Sequence, residues 1–124
     1  MSYTPYIHES VEQTNLFRWA AYEQGKYPEL KLMYHIPNGG SRNRLEAANL
    51  KKQGVKSGVP DICLPVARGA YHGLYIEMKA GRNKASENQK QWLSDLNEQG
   101  YCAVLCYGWN AASEVITNYL EGRF

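Results

Sequence analysis

Long apolar runs are missing from the 124 residues, and no stretch approaches the length a membrane span requires. The first residues carry Glu9, Glu12 and Arg18 and no apolar run, which speaks against a secretory leader. Cysteine is scarce: Cys63, Cys102 and Cys106 are odd in number and form no CxxC pair. That usage disfavours disulfides and zinc and fits buried thiols in a reducing cytoplasm. His8, His35 and His72 lack metal-ligand spacing and read as structural or surface residues. Neither GxxxxGKS/T nor a GxGxxG opening a helix occurs, so no nucleotide cofactor is expected. Repeats and low-complexity tracts are absent too. With 44% hydrophobic residues, what remains is one folded domain over residues 1–124 with a single core.

Charge is present but unevenly spread. The net charge is only +2, yet residues 42–90 hold ten Lys or Arg against four acids, and the remainder holds four against eight. A positive middle segment can attract polyanions if folding gathers it on one face. An ordinary solvated helix face is the competing reading.

The pattern of apolar residues predicts the order α-β-α-β-β-α-β-α. Residues 8–24 read as a helix with Leu16, Trp19 and Ala20 on one stripe and Glu12 one turn earlier on the same face. KLMYHI (31–36) reads as a short strand ended by Pro37 and the turn signal Asn38-Gly39-Gly40. A basic helix is expected over 42–53. Strands follow at 61–66 and 70–79, close enough in sequence to form an antiparallel hairpin. Ser86 and Gln89 have the spacing of a capping box, opening a helix that runs to about Gln99. YCAVLCY (101–107) has the near-continuous apolar character of an interior strand covered on both faces. A last helix spans about 111–121. The class is α/β, a mixed sheet flanked by helices.

Side chains alternate along a strand, so Tyr75, Glu77 and Lys79 share one face while Leu74, Ile76 and Met78 point into the core. A carboxylate flanked by core residues is costly unless a cation compensates it. Lys79 is one candidate, and a divalent ion is another. Asp61 begins the preceding strand, and hairpin pairing can bring it close to Glu77. Two such carboxylates held together need a shared proton or a metal, and hard oxygen ligands suit Mg²⁺ or Mn²⁺. A buried ion-pair network without chemistry is the alternative. A glycosidase also uses two carboxylates, but it needs neither Lys79 nor the positive middle segment.

Pro60-Asp61, then Glu77-Met78-Lys79, resembles the PD-(D/E)XK nuclease motif. The wider set IPNGGSR (36–42), GVPDI (58–62), GLYIEMK (73–79), SENQ (86–89) and Gly100-Tyr101 is similar to the VRR-NUC branch of that superfamily. The resemblance runs from Glu12 to the last helix and implies a restriction-endonuclease-like core. It implies Asp61 and Glu77 as metal ligands, with the Met78 backbone carbonyl as a third and Glu12 aimed at the metal directly or through water. Lys79 would position the attacking water, with no side-chain nucleophile, and Gln89 matches the family's helix glutamine. Helix-dipole pairing competes for Glu12, capping for Gln89, and a plain turn with a surface arginine for Asn38 and Arg42.

The activity so implied is Mg²⁺- or Mn²⁺-dependent endodeoxyribonuclease cleavage, leaving a 5′-phosphate and a 3′-hydroxyl. Stand-alone members, often phage-encoded, resemble Holliday junction resolvases, which implies a homodimer acting on branched DNA, the four-way junction foremost. Flap or nicked DNA is the alternative substrate, and a non-catalytic nucleic-acid-binding module the alternative function. Asn38 and Arg42 would sit near the scissile phosphate, and Arg44, Lys51, Lys52, Lys56, Arg82 and Lys84 would hold the DNA backbone.

Overall fold

Alternation along one strand sets the layers of the domain. In β3 (Leu74–Lys79) the side chains of Leu74, Ile76 and Met78 are buried in the main core, and Tyr75, Glu77 and Lys79 take the other face. The computed structural model describes residues 5–37 and 44–124, with side chains from Glu9 onward in the first segment. The remaining elements are α1 (Pro5–Glu23), a 3₁₀ turn (Pro28–Leu32), β1 (Tyr34–His35) and α2 (Arg44–Lys52). After them come β2 (Ile62–Leu64), α3 (Glu87–Glu98), β4 (Cys102–Tyr107) and α4 (Gly108–Leu120). The four strands form one mixed sheet in the order β1-β2-β3-β4.

The expected hairpin is present: β2 and β3 pair antiparallel, with Ile62 opposite Ile76 and Leu64 opposite Leu74. A small bridge between Arg68 and Tyr71 closes its turn, where Gly69 supplies φ +55°. β3 and β4 run parallel, which requires a crossover, and α3 provides it. Beneath the sheet, Leu16 and Ala20 of α1 meet Ala112, Ile116 and Tyr119 of α4, together with Ile62, Ile76 and Met78. The Tyr119 hydroxyl, buried there, donates to the Val66 carbonyl at 2.7 Å. All three cysteines are free and buried, and burial pushes the Cys106 thiol up to about 11. No helix among the described residues is long and apolar enough to cross a membrane.

Two elements differ from expectation. The segment read as a strand over 31–36 is a 3₁₀ turn through Leu32, leaving only Tyr34–His35 as β1. Pro28 fixes the start of that turn, and Leu30 anchors it in the core. Second, β4 pairs only with β3 among the described residues, so it is an edge strand. Its apolar run reflects helices on both faces, and lateral position leaves no mark on such a pattern. Part of its outer edge is closed by a side chain: Asn97 of α3 accepts from the Ala103 N–H at 3.0 Å and donates to the Ala103 carbonyl at 2.9 Å.

Candidate active site

Carrying the β2–β3 register one step past Ile62 sets Asp61 opposite Glu77 on the same face of the sheet. One step further, Pro60 stands opposite Met78 and has no N–H to give, so the ladder ends there. The Met78 N–H donates instead to the Asp61 carboxylate, at 2.9 Å from Oδ2. Asp61 is pinned from behind as well. Its backbone carbonyl accepts from the Ile36 N–H at 2.7 Å and from His35 Nδ1 at 2.9 Å. The short β1 and its histidine thus hold the aspartate in register.

Glu77 is 2% exposed. Its Oε2 faces Lys79 Nζ at 3.7 Å and accepts from Gln89 Nε2 at 3.1 Å. Oε1 is buried and has no hydrogen-bond partner. Burial pushes the Glu77 carboxyl up to about 8; the nearby Asp61 charge and a proton shared between the two carboxyls add to this, and Lys79 opposes it. One lysine therefore does not compensate the pair.

The first helix places its acids differently from expectation. Glu12 Oε1 accepts from the Trp109 N–H at 2.8 Å and so serves the start of α4. Gly108, at φ +87°, makes the turn into α4 in a backbone conformation that favours glycine, and a Cβ there would only touch that oxygen, at 3.4 Å. Glu9, earlier on α1, adds a slight repulsion at Glu77, the least of the influences there, and Asn83 Nδ2 donates to its Oε2 at 2.5 Å. Sequence reasoning passed over Glu9 because it lies three residues from Glu12, on nearly the same helix face. Its partner, Asn83, sits in a loop whose path no periodicity reveals.

The start of α3 joins both halves of the site. Ser86 caps it in the expected box with Gln89. Asn88 Nδ2 donates to Ser57 Oγ at 2.7 Å and the Ser57 carbonyl at 3.0 Å, and Trp92 Nε1 reaches the same carbonyl at 3.1 Å. Gly58, at φ +87°, packs against Asn88 so closely that a Cβ would meet its Cγ at 2.9 Å. Gly58→Ala is therefore expected to cost about 1–3 kcal/mol, from strained backbone and contact together. Urea denaturation measures it, and an unchanged midpoint would show that the loop has an alternative path.

Arg44, Lys51, Lys52, Lys56, Arg82 and Lys84 are all exposed. Lys51 and Lys56 line a cleft of about 530 Å³ between α2 and α3, with Leu50, Val55 and Trp92 among its apolar walls. Asn38 and Arg42 lie outside the described residues, as does the predicted start of the basic helix.

The buried, unpartnered Oε1 of Glu77 beside a second carboxylate has the chemistry of a hard-cation site. No group of three or more His, Cys, Asp or Glu side chains among the described residues is placed to hold an ion alone. Two carboxylates and a backbone oxygen nevertheless suit an ion that keeps several waters.

The family model of the VRR-NUC domain matches residues 2–110. The chain belongs to the VRR-NUC family. The family is one of the PD-(D/E)XK-like nucleases, and a nuclease-type function comes with it. A solved structure described as a VRR_NUC domain protein is similar to this VRR-NUC chain, with a TM-score of 0.81 and 34% identity. The match covers 98% of this chain and 93% of that one. No curated protein matches. Membership fits the Pro60-Asp61 and Glu77-Met78-Lys79 elements, which the VRR-NUC fold here sets on facing strands.

Proposed function

We propose that the protein is a divalent-metal-dependent endodeoxyribonuclease that cuts branched DNA, four-way junctions foremost, as a homodimer. One observation carries the catalytic part: the unsatisfied Oε1 of buried Glu77, on the sheet face that also bears Asp61. Mg²⁺ or Mn²⁺ would be held by Asp61, Glu77 and the Met78 carbonyl, which opens on the strand edge where Pro60 offers no N–H. Glu9, on α1, would act on such an ion only through its bound water, one of the two roles expected for Glu12. Once bound, such an ion supplies Lewis acidity toward a phosphoryl oxygen and lowers the pKa of a bound water.

The chain's own groups do the remaining work. Lys79 is held by its ion pair with Glu77, and its other Nζ protons can orient a water or meet a phosphoryl oxygen as charge builds there. Gln89 fixes the Glu77 carboxylate. Arg44, Lys51, Lys52 and Lys56 give a positive wall that grips backbone phosphates without reading bases, which favours recognition of shape. Symmetric cutting of a junction needs two sites related by a two-fold axis, which is the argument for a dimer.

The test is a panel of four-way, flap, nicked and linear DNAs, incubated with Mg²⁺, Mn²⁺ or EDTA, with the mass in solution measured alongside. Paired cuts in the junction by a dimer are expected. Preference for flap or nicked DNA would overturn the substrate, a monomer the assembly, and metal-independent binding without cleavage the enzyme. Arg44→Ala combined with Lys51→Ala is expected to reduce the slope of log affinity against log salt by about 1–2. An unchanged slope would remove α2 from the DNA surface.

A further inference from the structure

A primary amide has two unlike ends, and only one of them suits a carboxylate. Gln89 must present Nε2 to Glu77; turned over, its oxygen would face Glu77 Oε2 and repel it. The Glu77 carboxylate cannot settle this alone, because an amide side chain rotates freely unless something holds its other end. In this structure the other end is held. The Ser86 N–H, which can only donate, gives its proton to Gln89 Oε1 at 2.9 Å. The Ser86 hydroxyl oxygen accepts from the Gln89 N–H at 3.1 Å, which fixes where the glutamine backbone enters the helix. The same residue is therefore clamped at its main chain and at its amide oxygen, leaving Nε2 to reach Glu77 Oε2 at 3.1 Å.

We propose that Ser86 is a positioning residue of the active site: its capping box sets the orientation of the Gln89 amide, and through it decides which oxygen of Glu77 is anchored and which stays open. Oε2 is the anchored one, with Gln89 and Lys79 on it, and Oε1 is the open one. The helix start is thus coupled to the metal site by a continuous run of hydrogen bonds, from Ser86 through Gln89 to Glu77. Ser86 itself is exposed and sits in extended backbone, at φ −68° and ψ 165°, with no contact of its own to the carboxylates. This role rests on the nuclease reading given above, and it extends that reading to a residue that touches neither ion nor DNA.

The test is a double-mutant cycle between Ser86→Ala and Gln89→Ala, read by Mn²⁺ calorimetry on the protein alone, by cleavage of branched DNA at saturating Mn²⁺, and by Tm. Ser86→Ala keeps the N–H that holds the amide oxygen but frees the Gln89 main chain, so the helix start frays and the amide loses its fixed position. In the wild-type background it is therefore expected to weaken Mn²⁺ binding several-fold and to slow cleavage about tenfold. In the Gln89→Ala background it is expected to change neither, while Tm falls in both. Ser86→Thr, which keeps the hydroxyl, is expected to restore binding and cleavage. Ser86→Gly removes the hydroxyl at little cost to the helix start and serves if the alanine variant fails to fold.

Equal losses in both backgrounds would overturn the proposal, because Ser86 would then act only on helix stability. So would a folded Ser86→Ala or Ser86→Gly protein with unchanged Mn²⁺ affinity. Failure of the nuclease reading looks different: the wild type would cut no DNA, and Glu77→Gln would leave Mn²⁺ affinity unchanged. The calorimetric cycle is read whether or not DNA is cut, and a wild type that binds no Mn²⁺ overturns both.

Discussion

Cleavage is expected to fall at least about a thousandfold in Asp61→Asn, roughly 4 kcal/mol in the barrier, with DNA binding retained or tightened. The substitution is nearly isosteric, and the asparagine oxygen can still accept from the Met78 N–H, so the bond now measured at 2.9 Å survives. The Asp61 carbonyl tie to Ile36 is backbone and is untouched. What disappears is one negative charge, which a cation needs and a phosphate backbone opposes. Single-turnover cleavage alongside a binding isotherm separates the two effects. Cleavage within tenfold of wild type would remove Asp61 from the ligand set.

The second large effect concerns stability. The Glu77 carboxyl is pushed up to about 8 in the folded protein, against an ordinary value of 4.5. Between those limits the folded state holds a proton that the unfolded chain releases, so stability falls as pH rises through this window. At about 1.4 kcal/mol per pH unit, the metal-free protein should lose up to about 3–5 kcal/mol between pH 4.5 and 8, and little more from this group above it. Glu77→Gln should flatten that part of the curve. Mn²⁺ should restore the wild type at pH 8, since only the folded state offers the paired site. Urea titrations at several pH values in EDTA, with and without the substitution, measure it. Identical slopes for the two proteins would mean that Glu77 ionises freely and is not confined as its surroundings imply.

Much of this site is legible in the letters because its geometry follows from strand alternation. Once residues 74–79 read as half core and half polar, Glu77 and Lys79 must share a face. A short hairpin then brings Asp61 across from Glu77. The Ser86–Gln89 box is equally local, needing only a spacing of three.

What escaped was decided over longer distances. Glu9 and Glu12 lie on nearly the same face of α1, and only the course of the chain around Asn83 and Gly108 gives one an amide partner and the other the Trp109 N–H. The segment 31–36 is apolar enough for a strand, yet Pro28 and the buried Leu30 commit its first part to a 3₁₀ turn. The lateral place of β4 was hidden for a different reason. Cover above and below produces the same composition whether or not a neighbour lies alongside.

Asn97 has a consequence for how copies of this protein can meet. At Ala103 its amide supplies the acceptor and the donor that another chain's backbone would bring. A passing β-segment finds that position already satisfied and would have to evict a side chain, forfeiting two good bonds to gain two similar ones. Docking of protomers by sheet extension, and the fibrous stacking that begins the same way, thus meets a stopper along this border.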